Sequence, residues 1–587
     1  MNLISVTGKN WELSDINNRK ILQLCENHLI SETLSKLLIL RNIDTKEVKN
    51  FLYPNIDTFI SNSNLLKGMN KGVLFIYEQI INKKIIGIFG DYDVDGASAT
   101  SLLIKFFKSI QTPFEYFIPN REVDGYGPTK NSFEKLIKKN VNSIITVDCG
   151  TVSFDAINYA KSKNIDTLVI DHHQSETRLP NAISIINPNR FDDNSKLNDL
   201  CATSITYLFI NSLLKKLESS NWLINNNLKK PKLHNNLDLV ALATICDVVP
   251  LQGVNRALVK KGLEVFKKKE SIGLNELSNV SLINEDINTY HLGYSLGPRI
   301  NAGGRLGHPN LGTELLSTNE KDVALKISKK MNELNDQRKK IEDIHLEEVK
   351  LEVNKYKDDD VLVLYKKDWN EGIIGILASR IKEQFNKPTL ILTNSKEIIK
   401  GSARSIYGFN IGLEIINCIS MKIINSGGGH KMAAGFSILY ENIPNLRDYL
   451  NTSYKKKKIN RNLLNKINID AKILTTSVNE NFYNEINLLA PFGVGNVSPN
   501  FLIENLLVIK FYILKDKHIS CILSNNNGKS INCISFNTVG SKIGEYITNK
   551  SGKKIDIVGK LSQNVWNGKK KIQFIIKDVG IKGNLDK

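Results

Sequence analysis

Three short apolar runs between Lys84 and Pro188 constrain the fold of this 587-residue chain more than any other feature. Ile85–Phe89, Ser143–Val147 and Thr167–Ile170 are strand-length, rich in β-branched residues, and bounded by polar or glycine-containing turns. Such near-continuous apolar runs suit parallel strands buried on both faces. Between them, Ala97–Ile110 and Ser132–Lys139 carry helical spacing. The alternation predicts a βαβ series and hence a doubly wound α/β sheet. In such sheets functional groups gather beyond the carboxyl ends of the strands. Asp91, Asp148 and Asp171 each follow such an end.

The chain is too long for one hydrophobic core and should divide into several domains. Residues 1–70 read as a helical and mixed segment, and 71–318 as the α/β unit just described. Residues 319–357 contain neither Gly nor Pro, and Val323, Ile327, Met331, Leu334, Ile341 and Ile344 recur among dense charges. That pattern predicts a long connecting helix or a helical pair. Val361–Tyr365 and Thr389–Leu392 open a second α/β unit over 358–455. After a lysine-rich linker, residues 462–582 are full of short alternating strands, which fits a small β-barrel.

A hydrophobic content of 41% and a charged content of 24% are those of a soluble globular protein. The apolar runs are far too short to span a membrane. The first twenty residues carry Trp11, Glu12 and Asp15 where a signal peptide needs an apolar block, so a cytoplasmic location is expected. Seven scattered cysteines without a C-x-x-C pair make a disulfide framework or structural zinc site improbable. Cys149 reads as a small buried residue at a strand end, not a nucleophile. The net charge of +19 makes a polyanionic partner plausible without establishing nucleic acid.

Four clusters carry chemistry: Gly90-Asp91-Tyr92-Asp93-Val94-Asp95-Gly96, Val147-Asp148-Cys149-Gly150, Asp171-His172-His173 and Thr244-Ile245-Cys246-Asp247. A single Asp after a strand is ordinarily a turn former or helix cap. Several at successive strand ends of one unit are different, because gathered carboxylates repel and raise one another's pKa. Divalent cations remove that penalty. Oxygen ligands with one or two imidazoles suit Mn²⁺ or Mg²⁺ better than zinc.

These clusters resemble the motifs of the DHH phosphoesterase superfamily, named for Asp171-His172-His173. The fuller resemblance is to the RecJ-type exonucleases. It is carried by Arg121-Glu122-Val123-Asp124-Gly125-Tyr126-Gly127, Asp247-Val248-Val249-Pro250-Leu251 and Gly297-Pro298-Arg299-Ile300-Asn301-Ala302-Gly303-Gly304-Arg305. Gly372 to Arg380, Gly401 to Ser405 and Gly427 to Phe436 extend it. It implies a DHH core with a parallel sheet, a DHH-associated α/β domain beyond the long helix, and a C-terminal OB-fold barrel. It also implies two divalent cations, Mn²⁺ or Mg²⁺. Asp93 and Asp95 would be ligands, Asp148 a bridge between the ions, and His172 and Asp247 the completion of the second site. Asp171 would orient His172, and His173 would act with Asp148 in catalysis by facing the scissile phosphate. Many relatives place a histidine where this chain has Phe89, so Asp91 is the expected substitute ligand.

The same resemblance assigns DNA binding to Arg121, Tyr126, Arg299, Asn301, Arg305, Arg380, Arg404, Gly428, Gly429 and His430. Arginine suits this role because its planar fork binds phosphate oxygens in pairs. The implied activity is 5′-to-3′ removal of mononucleotides from single-stranded DNA, in recombination and repair. A monomer is expected, working beside a helicase and a single-strand-binding protein. Two rivals are a DHH enzyme acting on short oligonucleotides, cyclic dinucleotides or pyrophosphate, and a scaffold that has lost its metals. The barrel argues against the first, and the intact aspartates and His172 against the second.

Overall fold

The computed structural model describes residues 3–57, 66–120, 123–125, 127–395, 398–457, 466–549, 554–566 and 569–580. It opens with a short antiparallel pair, β1 (Leu3–Ile4) and β2 (Asn10–Leu13). The first α/β unit follows. Its strands are β3 (Ile86–Phe89), β4 (Phe114–Phe117), β5 (Ser143–Val147), β6 (Asp166–Ile170) and β7 (Ser184–Ile186). All pair in parallel, in the order β4-β3-β5-β6-β7. Every residue of β3, β5 and β7 is buried, which is why those runs carry no charged side chain and are polar only at Ser143, Thr146 and Ser184.

From β3 the chain crosses to one side, to β4, and then returns to place β5 on the other side. The switch point of the sheet therefore lies between the carboxyl ends of β3 and β5. Crevices open at such points because the crossover helices diverge onto opposite faces. Asp91 and Asp148 stand on its two sides. The helix Val94–Ser109 begins three residues earlier than its apolar spacing implied, because Asp93 caps it by accepting from Gly96 N at 3.0 Å.

A single helix of 35 residues, Lys321–Lys355, leads to the second α/β unit. At 1.5 Å per residue it is roughly 50 Å long. The second sheet comprises β8 (Leu362–Tyr365), β9 (Thr389–Ser395), β10 (Ile398–Arg404), β11 (Ser426–Gly429) and β12 (Ala433–Ile438). Its order is β11-β12-β10-β9-β8, leaving the glycine strand β11 at an edge.

After β13 (Lys466–Ile469) and β14 (Ala471–Lys472) come β15 (Phe501–Leu514), β16 (His518–Ser524), β17 (Ser530–Ser535), β18 (Lys554–Trp566) and β19 (Lys569–Gly580). The order β15-β16-β17-β19-β18, closed by a β15–β18 pairing, makes a five-stranded barrel. The N-terminal residues are not a separate body. β2 pairs in parallel with β13, placing Trp11 opposite Ile467, and Trp11 Nε1 donates to Asp578 Oδ2 at 3.2 Å. Leu24, Leu34 and Leu37 share one apolar core with Ile473, Phe501 and Ile503.

This composite body is fastened to the first α/β unit by Arg256, which is 1% exposed. Its guanidinium donates to the carbonyls of Phe51, Leu489 and Ala490 at 2.8 Å and of Leu488 at 3.2 Å, and stacks on the Phe51 ring at 3.9 Å. Beside it, Leu251 N donates to Val494 O at 2.7 Å and Thr289 Oγ1 to Phe492 O at 2.7 Å. Arg256→Ala strips these buried carbonyls of a charged donor and should cost about 3 kcal/mol. A lower thermal midpoint, with faster proteolysis around residues 488–497, is the expected result. An unchanged midpoint would show that the junction does not depend on this side chain.

Candidate metal centre and strand-binding surface

β3 delivers Asp91 into a loop that folds back over the start of the helix Val94–Ser109. The fold-back is tight: a Cβ on Gly96 would lie 2.6–2.7 Å from atoms of Asp91. Glycine is therefore the residue that lets the two meet. Asp91 is buried, with Oδ1 accepting from Tyr92 N at 2.7 Å. Asp95 points toward the amino end of the helix Ala202–Ser219, where its two oxygens accept from Ala202 N at 2.7 Å and Thr203 N at 2.9 Å. The helix dipole there favours a carboxylate. Asp148 follows β5 in a left-handed conformation, φ 61°, which costs a non-glycine residue energy and concentrates at functional sites.

His172 joins these groups. Its Nε2 lies 3.2 Å from Asp148 Oδ1 and 3.8 Å from Asp95 Oδ2, and its Nδ1 lies 3.6 Å from Asp247 Oδ2. Three overlapping triads have ligand atoms within 4.8 Å of one another: Asp91–Asp93–Asp148, Asp95–His172–Asp247 and Asp148–His172–His173. Phe89, in contrast, is packed against Phe117 and Phe133 in an apolar cluster. One expectation is corrected. Asp171 does not orient the His172 ring; Oδ1 meets His173 Nδ1 at 2.8 Å and only the backbone N–H of His172. Both backbone N–H groups converge on that oxygen, and this turn brings the second ring to the carboxylate.

Burial and mutual repulsion dominate the electrostatics. Burial, then Asp95, Asp93, Asp91 and Asp247, push the Asp148 carboxyl well above the usual carboxylate range. Burial and Asp95 raise Asp93 likewise. Burial, with Asp95 and Asp93, pushes Asp247 up to about 9. Burial opposes charge on His173, but Asp171, Asp93 and Asp247 outweigh it and push the imidazole up to about 9. Asp148 Oδ1 is fully enclosed and makes no hydrogen bond, the His172 Nε2 at 3.2 Å being its near neighbour. An enclosed, unsatisfied carboxylate oxygen amid like charges fits an oxygen-seeking divalent cation. Cys149 is no nucleophile: burial and the neighbouring aspartates raise its thiol, and Sγ faces Val147 O.

The other expected residues divide. Asn301 Oδ1 accepts from Val94 N at 3.1 Å and so steadies the aspartate loop itself. Arg299 Nε donates to Asn332 at 3.0 Å, and Arg305 Nη1 reaches Gly372 O across to the second α/β unit. Arg380 Nε pairs with Glu342 of the long helix at 3.0 Å, and Arg404 turns onto Ser402 and its own strand. Gly428 and Gly429 lie on the exposed edge strand β11, where a Cβ on Gly428 would meet nothing within 4 Å. Burial, with the fields of His173 and His172, lowers the His430 pKa. Arg121 and Tyr126 lie outside the described residues.

A supporting layer went unread in the sequence. Asn187 Nδ2 donates to Thr151 Oγ1 and to His173 O, both at 2.8 Å, and Asn189 Nδ2 donates to His172 O. The available signal was Asn187-Pro188-Asn189 directly after the apolar Ser184–Ile186 run, a fourth strand end beside the other three.

Proton linkage yields a test. In the metal-free fold Asp247 and His173 hold their protons up to about pH 9, above their ordinary values. The stability this contributes is present at low pH and lost as pH rises toward 9. Cation binding requires the deprotonated carboxylate and gains over the same range. The rise in thermal midpoint on adding Mn²⁺ should therefore be larger near pH 8 than near pH 6. An equal rise at both would contradict the coupling.

Comparison with known proteins identifies the domains that carry this cluster. Residues 85–244 match the family described as DHH family, N-terminal domain, 358–456 match the DHHA1 domain, and 469–578 match the RecJ OB domain. The single-stranded-DNA-specific exonuclease RecJ of Bacillus subtilis is 29% identical over 579 residues, covering 97% of this chain and 71% of its own. That of Haemophilus influenzae is 34% identical over 436 residues, 72% of this chain and 74% of its own. The structure of Thermus thermophilus RecJ in complex with Mn²⁺ superposes with a TM-score of 0.79 at 22% identity, covering 98% of this chain and 80% of that one. With these three domains matched, and a relative 34% identical that is covered over 74% of its length, the chain belongs to the RecJ family of DHH phosphoesterases.

Proposed function

We propose that this chain is a metal-dependent exonuclease that hydrolyses single-stranded DNA from its 5′ end to mononucleotides, serving recombination and repair. One observation carries the reading: the buried carboxylate of Asp148 belongs to two candidate ligand triads, Asp91–Asp93–Asp148 and Asp148–His172–His173, and His172 links the second to Asp95 and Asp247. Asp91, Asp93 and Asp148 would hold one cation, and Asp95, His172 and Asp247, with Asp148 shared, a second. Two bound divalent ions supply Lewis acidity toward a phosphodiester and lower the pKa of water.

The chain's own groups do the rest. Asp171 keeps His173 protonated near neutral pH, so that its ring can donate to a phosphate oxygen where negative charge develops. The helix N-terminus on Asp95 and the Asn301 contact to Val94 hold the aspartate loop in place. Gly428 on its open edge lets a sugar-phosphate backbone approach closely, and His430 stands beside it. The barrel supplies a surface suited to tracking a single strand. Among the described residues no helix is long and apolar enough to cross a membrane. A cytoplasmic monomer receiving strands from a helicase or a single-strand-binding protein fits this reading.

Asp148→Ala removes the shared carboxylate. Cleavage of end-labelled single-stranded DNA in Mn²⁺ or Mg²⁺ should fall on the order of 10³-fold, while strand binding largely survives. Wild-type product should appear as mononucleotides from the 5′ end. A near-normal rate in the variant would sink the mechanism, and release from the 3′ end would reverse the polarity.

A further inference from the structure

We propose that Tyr290 and Tyr294 form a base-stacking platform for the incoming strand, at the rim of the carboxylate cluster. The inference rests on the exonuclease reading and adds to it a binding site on the first α/β unit. The two rings stack with centroids 5.1 Å apart and planes at 27°, yet the residues are 64% and 74% exposed. The leucines that alternate with them, Leu292 and Leu296, are fully buried. The helix therefore anchors itself with leucine and presents tyrosine outward. Exposed paired aromatics forgo much of the burial that large rings ordinarily obtain, and such patches mark interaction sites.

The platform is held rigidly. Asn288 Oδ1 accepts from Tyr290 N at 3.0 Å and from His291 N at 3.3 Å, and Asn288 N donates to His291 Nδ1 at 3.2 Å. His291 Nε2 meets Glu285 at 3.0 Å, and Thr289 is tied to Phe492. Tyr294 lies within a π-helical turn, Leu292–Leu296, a distortion frequent at functional sites.

Its position indicates the ligand. Cys246 Sγ donates to Leu292 O at 3.5 Å, so the tyrosine turn packs on the residue preceding Asp247. The same helical stretch continues to Asn301, which steadies Val94 beside Asp93. Seven residues at about 1.5 Å each put Tyr294 roughly 10 Å along the axis from Asn301, a reach of a few nucleotides. On the other side the Thr289–Phe492 and Leu251–Val494 bonds join the patch to the barrel body, where Val494 is exposed. Val248, next to Asp247, is 63% exposed and held at φ 61°, a strained conformation for a β-branched residue. A strand passing from barrel to cluster crosses this surface. Tyrosine faces accept every base alike.

The test uses the full chain with oligothymidylates carrying 2-aminopurine at successive positions from the 5′ end, in EDTA so that nothing is cleaved. The wild-type chain should quench the fluorophore strongly at positions a few nucleotides from the end. The Tyr290→Ala, Tyr294→Ala double variant should lose that quenching and bind about tenfold more weakly. Its KM for a long strand should rise similarly, and more than its KM for a trinucleotide. The double Phe variant, which keeps the rings, should behave as wild type. Undiminished affinity and quenching in a folded alanine variant would overturn the platform, as would a KM rise independent of strand length. Failure of the wild-type chain to cleave single-stranded DNA would instead remove the exonuclease reading and this inference with it.

Discussion

Carboxylates that repel one another have been gathered in one enclosed place, and much of the surrounding structure serves to keep them there. Asp91, Asp93, Asp95, Asp148 and Asp247 come from two strand ends, a helix start and a helix end, and all converge on the switch point of one parallel sheet. Burial alone disfavours ionising Asp93, Asp148 and Asp247, and neighbouring carboxylates add to that cost. A fold tolerates such crowding only where something else compensates. Part of the compensation is built into the chain: a helix N-terminus receives Asp95, and Asp171 is matched by His173. The remainder, centred on Asp148, fits cations that the family's structures hold.

The architecture beyond the cluster reads as a means of bringing a strand to it. Arg256 and the seam from Phe492 to Gly495 lock the barrel body against the helices that follow Asp247. Arg305 reaches Gly372 and ties the second α/β unit, with its open glycine edge, to the helix that carries Asn301. Both junctions rest on arginine donating to backbone carbonyls. Such contacts fix geometry without depending on a particular side chain in the partner segment.

Much of this was legible in the sequence because buried parallel strands leave continuous apolar runs and their ends stand out as aspartates. β4 and β7 were not legible: Phe114–Phe117 is a half-buried edge strand containing Glu115, and Ser184–Ile186 is only three residues long. The union of the N-terminal segment with the barrel rests on pairings such as Trp11 with Ile467, and no local periodicity records contacts so distant. At the site, the aspartates could be named but not their partners. That Asp95 would meet Ala202 and Thr203, that Asp171 would take His173 and not His172, and that Asn301 would brace Val94 are consequences of turns and packing. Phe89 shows the converse. Its place in the motif drew attention, while its aromatic packing against Phe117 and Phe133 depended on strands and helices brought together by the fold.

The two-cation reading turns on one buried carboxylate, Asp148, serving both sites. Titration of the metal-free chain with Mn²⁺, followed by electron paramagnetic resonance, addresses it without reference to any substrate. The account predicts two tightly bound ions whose spectra show magnetic coupling through a common ligand, and loss of that coupling in Asp148→Asn. A single bound ion, or two that remain magnetically independent in the wild-type chain, would contradict it.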